Sequence, residues 1–174
     1  MAYTYSKIAT YTVGSGGIAT VSFLNIPQTY TDLVVKASIR TVATPAQVYA
    51  DTTFIINGDT GSNYSLKFLR GNGASGSSQS STNTTAGYLT QLTGNGATAS
   101  TFGSLDMYFP NYTSGYYKSF SVDGIGENNA TTAYAELAAE IWQRTDPITS
   151  FSFNATGVFA QYSTFHLYGV KAEV

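Results

Sequence analysis

The chain has 174 residues, 43% of them hydrophobic and only 10% charged, with a formal net charge of -2 and no cysteine. That composition excludes a disulfide framework, a thiolate metal site and the basic footprint of a nucleic-acid binder. No apolar run is long enough to span a bilayer as a helix, and Met1-Ala2-Tyr3-Thr4 opens no basic segment with an apolar core, so neither a membrane anchor nor a signal peptide is expected.

Length predicts one domain with a full hydrophobic core. Fourteen tyrosines and ten phenylalanines suit strands rather than helices. With so few charges, Ser, Thr, Asn and Gly must wet the surface, and self-repulsion between copies is weak.

In chain order, Tyr5 to Val13, the turn Gly14-Ser15-Gly16-Gly17 and the alternating Ala19, Val21 and Phe23 predict a first hairpin. Pro27 then breaks the pattern. Asp32 to Arg40 is a strand with Leu33, Val35, Ala37 and Ile39 on one face and Val34, Lys36, Ser38 and Arg40 on the other. Thr41 to Ala50 reads as a loop around Pro45. A short strand, Thr53 to Ile56, ends in Asn57-Gly58, a dipeptide that tolerates positive φ and so marks a turn. Tyr64, Leu66 and Phe68 form the inward face of another strand.

Gly71 to Thr85 contains no large apolar residue and predicts a long exposed loop. Gly87 to Leu92, Thr101 to Phe109 and Tyr116 to Val122 are strands, with Leu105, Met107, Phe109, Phe120 and Val122 inward, and Gly124 to Asn129 is a turn region. Ala133 to Trp142 fits both periods. Its Ala and Glu content favours a helix, but strands on both sides argue for a strand. Phe151 and Phe153, then Phe165 and Leu167, alternate with polar residues and predict two strands of one sandwich wall, joined through Ala155 to Gln161. About ten short strands with Gly-rich turns make an antiparallel β-sandwich of jelly-roll type.

Each chemical signal has a structural explanation. Gly71-Asn72-Gly73-Ala74-Ser75-Gly76 matches a dinucleotide fingerprint, but no helix follows it. His166, the single histidine, lies on the outward face of its strand, and no G-x-S-x-G elbow is present. Asp106, Asp123, Glu136 and Glu140 are the candidates for a glycosidase carboxylate pair and read instead as solvent-facing positions. Asp51, Asn57, Asp59 and Asn63 could gather oxygens around calcium, yet their spacing does not match an EF-hand loop, and an Asp/Asn/Thr-rich turn bonded to its own backbone is expected instead. No catalytic residue, cofactor or metal is expected. Tyr112, Tyr116, Tyr117, Trp142 and Tyr168 are the exposed aromatics expected at an interface or against a sugar ring.

Three segments together carry a family likeness. They are Ile26-Pro27-Gln28-Thr29-Tyr30-Thr31-Asp32-Leu33 with its strand, Asn57-Gly58-Asp59-Thr60-Gly61-Ser62-Asn63-Tyr64, and the run from Ile141-Trp142 through Ile148-Thr149-Ser150-Phe151 to Phe165-His166-Leu167-Tyr168-Gly169-Val170. In these the chain resembles a family of small virion proteins of tailed bacteriophages. The resemblance agrees with a strand at 133–142 and implies a passive place on the virion exterior. The expected role is capsid decoration or cement, with the major capsid protein and copies of the chain itself, as a homotrimer, for partners. The alternative it implies is a tail or fibre module that binds host-surface glycans.

Overall fold

A computed structural model describes residues 3–128 and 133–172. Among them are thirteen strands and no helix. The strands are β1 (Tyr3–Thr12), β2 (Ile18–Phe23), β3 (Asp32–Ile39), β4 (Thr41–Val42), β5 (Tyr49–Ile56), β6 (Tyr64–Gly71), β7 (Gly76–Thr84), β8 (Gly87–Thr93), β9 (Gly103–Phe109), β10 (Lys118–Gly126), β11 (Tyr134–Trp142), β12 (Phe151–Phe159) and β13 (Thr164–Ala172). They form two antiparallel sheets, an eight-stranded one in the order β1-β13-β3-β9-β10-β11-β6-β7 and a five-stranded one built on β2-β12-β5-β8, with β4 beside β12. The all-β sandwich expected from the sequence is the fold, with thirteen strands rather than about ten.

Without β4 and the inserted pairs β6–β7 and β10–β11, the remaining order is β1-β13-β3-β9 facing β2-β12-β5-β8. The first strand lies beside the last, and the second beside the next to last. This nesting arises when a long hairpin is rolled up and is compatible with a jelly roll. Two expectations fail because of it. The first hairpin does not exist: β1 pairs with β13 and β2 with β12, so Gly14 to Gly17 carries the chain from one sheet to the other. Likewise β12 and β13 stand on opposite walls, β12 against β2 and β5, β13 against β1 and β3. Alternation shows that a segment is extended, but it carries no information about which segment supplies the hydrogen-bond partners.

The core lies between the walls. Phe54, Phe109, Phe120, Phe151, Phe153 and Phe165 are all buried. Phe109 stacks on Phe120 at 4.6 Å between ring centres, and Phe54 meets Phe120 edge-on at 5.5 Å. Phe159 meets Phe165 edge-on at 5.0 Å and links the walls at β12 and β13. The edge-on pairs add to burial because the positive edge of one ring meets the negative face of another. The Asn57-Gly58 turn forms as expected, with φ of 53° and 69°. The expected loop at 41–50 includes the short β4 and the start of β5, and β10 continues to Gly126 through what was expected to be a turn; Asn129 lies outside the described residues.

Gly71 to Thr85 is corrected more substantially. Gly76–Thr84 is the edge strand β7, paired with β6 from Gly71↔Gly76 to Tyr64↔Thr84. Its side chains are nearly all exposed, so exposure was read correctly and conformation was not. Burial of its own residues does not order this segment; the backbone ladder offered by β6 does. The dinucleotide-like glycine run is the β6–β7 connection, where Asn72 Oδ1 accepts the Ala74 and Ser75 N–H groups at 3.0 and 2.8 Å and Gly73 sits at φ 85°.

Candidate functional site

The inserted strands β6, β7, β10 and β11 extend the large sheet beyond the roll and define the outer surface of interest. β11 is extended as predicted, but with its faces reversed. Glu136, Ala138, Glu140 and Trp142 point inward and are buried, while Leu137 points outward at 51% exposure. The expectation that Glu136 and Glu140 face solvent is therefore wrong. One residue decides the parity: Trp142 is the largest side chain of the strand and can be buried only on the face it shares with the two glutamates.

Each inward glutamate is accommodated differently. Glu136 stands directly opposite Arg70 in the β6–β11 ladder and accepts from Arg70 Nε. Arg70 also donates to the Tyr88 hydroxyl at 3.1 Å, and its guanidinium lies 4.8 Å from the Phe68 ring centre and 5.0 Å from that of Tyr134. The Glu136 carboxylate raises the guanidinium pKa against the opposing effect of burial. Gly124 of β10 lies beside Glu136 and leaves room for Thr90 of β8; a Cβ there would lie 1.7 Å from Thr90 Oγ1. Glu140 has no ion pair among the described residues. It accepts the Tyr88 N–H at 3.1 and 3.3 Å, and burial pushes its pKa up to about 8, so at neutral pH it is predominantly protonated.

The reversal puts apolar side chains on the outside. Leu137 pairs with Leu69 across the β6–β11 ladder, and Ile125 of β10 pairs with Ala135. Leu69, Ile125 and Leu137 are 62%, 52% and 51% exposed and line a shallow concavity of about 840 Å3 bounded by Asp123, Gly76 and Ser78. A second hollow of about 540 Å3 adjoins it over Lys67, Leu69, Leu137 and Ala139. Across the same face the surface becomes polar: Asp123 opposes Asp106, Asp106 pairs with Lys36, and Lys36 opposes His166, which shares a hydrogen bond of 3.1 Å with Thr10. The outer face thus carries an apolar patch over β6, β10 and β11, with Lys67 at its margin, and a run of charges over β9, β3 and β13.

Two polar hollows lie elsewhere. Between the sheet edges at β5–β8 and β6–β7, a cleft of about 210 Å3 is lined by Asp51, Arg70, Gln79, Ser81, Tyr88 and Gln91. Asp51 accepts from the Tyr88 hydroxyl at 3.4 Å and from Gln91 at 3.1 Å. At one end of the sandwich, Asn57, Asp59, Trp142, Arg144 and Asp146 surround a hollow of about 420 Å3. Three of the four residues considered for calcium meet near here, but their oxygens already serve the fold. Asp59 accepts from Trp142 Nε1 at 2.7 Å, from Gly61 N at 2.9 Å and from Asn63; these bonds outweigh partial burial and hold its pKa below the ordinary value. Asn57 Oδ1 accepts from Thr149 and Ser150. Asp51 belongs to the inter-sheet cleft instead. Among the described residues no cluster of three His, Asp or Glu side chains could hold a metal ion.

The expected interface aromatics divide. Tyr112 and Trp142, read as exposed, are buried at 0% and 1%: the Tyr112 hydroxyl donates to the Pro27 carbonyl and Trp142 to Asp59. Their rings are spent inside the chain. Tyr116 and Tyr117 are exposed on the loop after β9, and Tyr168 lies half-buried on the outer face, edge-on to Tyr5 at 6.4 Å. The sequence reading missed Leu69, Ile125 and Leu137. Leu69 was legible, since it takes the opposite parity from Tyr64, Leu66 and Phe68 on one strand.

In comparison with known proteins, no family model and no curated protein matches the chain.

Proposed function

We propose that the protein is a structural component of a bacteriophage virion, a decoration or cement protein on the capsid exterior that bridges neighbouring subunits of the major capsid protein. The observation that carries this reading is the apolar patch on the large sheet's outer face, where Leu69, Ile125 and Leu137 stand exposed together. Contiguous exposed apolar side chains mark an association surface. A sheet braced by a filled aromatic core presents them on a rigid scaffold, which suits static contact. Binding only the assembled shell would stabilise it by linkage, as any ligand of the native state does.

The inter-sheet cleft favours a second reading, a tail or fibre module for host-surface glycans. Asp51, Gln79, Gln91 and Arg70 converge there beside Tyr88, and hydroxyl-rich ligands need such donors and acceptors. Gel densitometry of purified particles separates the two. A decoration protein is present in hundreds of copies, and particles lacking it lose their heads to heat or osmotic shock. A stoichiometry far below that of the major capsid protein, with adsorption lost on deletion, overturns the capsid reading in favour of the tail.

A further inference from the structure

β7 ends the eight-stranded sheet: among the described residues no strand lies beyond it. In an antiparallel sheet every second backbone N–H and C=O of an end strand points away from its neighbour, and these groups template a further strand. Proteins usually blunt such edges, and three of the four sheet ends here are blunted. β1 carries Lys7 at a bulge in its pairing with β13. β2 pairs with β12 through an irregularity between Asn154 and Phe159. β8 pairs with β5 through a bulge, holds Thr90 at φ 72° and packs beneath β10 and β11. β7 has none of these devices over Gly76–Ser81. Its nine residues, Gly-Ser-Ser-Gln-Ser-Ser-Thr-Asn-Thr, include no charge and no proline, and its irregularity is confined to the far end, where Asn83 takes φ 56°.

We infer that β7 pairs with β7 of a second copy of this chain, antiparallel across a two-fold axis normal to the sheet, joining two eight-stranded sheets into one. The chemistry of the strand selects this occupant. An edge of Ser, Thr, Gln and Asn is self-complementary: no like charges oppose each other, and the hydroxyls and amides can hydrogen-bond in cross-strand pairs. An axis normal to the sheet keeps both outer faces on the same side. The apolar patch of each copy then runs onto a common surface, with Leu69 one strand in from the new seam on each side. Strand spacing of about 4.8 Å puts the two Leu69 rows about 14 Å apart. Two-fold pairing also consumes the unguarded edge, so assembly closes rather than growing into a filament. The inference rests on the edge itself and holds for a capsid or a tail location alike.

Side-chain parity provides the test. Ser78 and Ser80 sit on the outer face opposite Leu69 and Lys67. Any register centred between Ser77 and Ser81, within the regular part of the strand, brings at least one of these positions opposite or diagonal to its counterpart in the other copy. Sedimentation of the purified full chain is expected to show a dimer. Ser78→Lys with Ser80→Lys, and separately Ser78→Glu with Ser80→Glu, should each be monomeric and still melt cooperatively, at a midpoint that no longer rises with protein concentration as the wild type's does, and an equimolar mixture of the two should recover the dimer. Hydrogen exchange of Gly76–Ser81 should slow with protein concentration in the wild type alone. A monomeric wild type, a trimer with unprotected β7 amides, a lysine variant that still dimerises, or a mixture that stays monomeric would each overturn the inference.

Discussion

Two interior strands of the same sheet use alternation in opposite ways. On β3, Leu33, Val35, Ala37 and Ile39 turn inward while Lys36 and Ser38 turn out. On β11, Glu136 and Glu140 turn inward with Ala138 and Trp142, while Leu137 turns out. β3 belongs to the rolled part of the sandwich, flanked by β13 and β9. β11 lies in the inserted extension, where β6 supplies Arg70 and β8 supplies the Tyr88 N–H. An acidic inner face is tolerable only where a guanidinium or a retained proton answers each carboxylate. The comparison teaches that alternation defines two faces and the surroundings decide which is the core.

The largest expected effect comes from breaking that answer at Glu136. Arg70→Met should destabilise the fold by about 3–5 kcal/mol, because it strands a buried carboxylate whose Oε2 already lacks a partner. Adding Glu136→Gln should recover much of the loss, as judged by chemical denaturation of both variants. On β3, where only packing is at stake, Leu33→Ala should cost about 2–5 kcal/mol in the same assay through the cavity it leaves. No second substitution at a charged position should rescue it.

A pH series sharpens the contrast. The folded chain holds the Glu140 proton up to about pH 8, whereas the unfolded chain releases it near the ordinary value of 4.5. Between those limits the folded state binds more protons, so this residue's contribution falls as pH rises, by up to about 1.4 kcal/mol per unit, and levels off above about pH 8. Glu140→Gln keeps an acceptor for the Tyr88 N–H and should remove that slope. An unchanged pH dependence of unfolding would show that the carboxyl is not held neutral. The smallest effect on stability belongs to the outward leucine: Leu137→Ser should shift it by no more than about 0.5 kcal/mol. The same change should weaken attachment to particles in a co-sedimentation assay if the apolar patch of the outer face makes the capsid contact.

Local sequence settled what depends on one residue and its immediate neighbours. Extended segments followed from period-two runs such as 33–39 and 105–109, and the Asn57-Gly58 turn from residues that accept positive φ. Polar satisfaction at the Asp59 end was half legible, since Asn57, Asp59 and Asn63 sit together in the chain but Trp142 reaches them from 83 positions away. Pairing partners were not legible, because backbone hydrogen bonds are the same for every sequence and only the closing of the roll puts β1 beside β13 and β12 on the opposite wall. For the same reason the polar run 76–84 became a strand once β6 offered it a ladder. On β11 the bulk of Trp142 selects the buried parity, but only tertiary structure makes that parity tolerable: Arg70, Tyr88 and Asp59 answer Glu136, Glu140 and the indole N–H, and all three are distant in sequence and adjacent only in the folded chain.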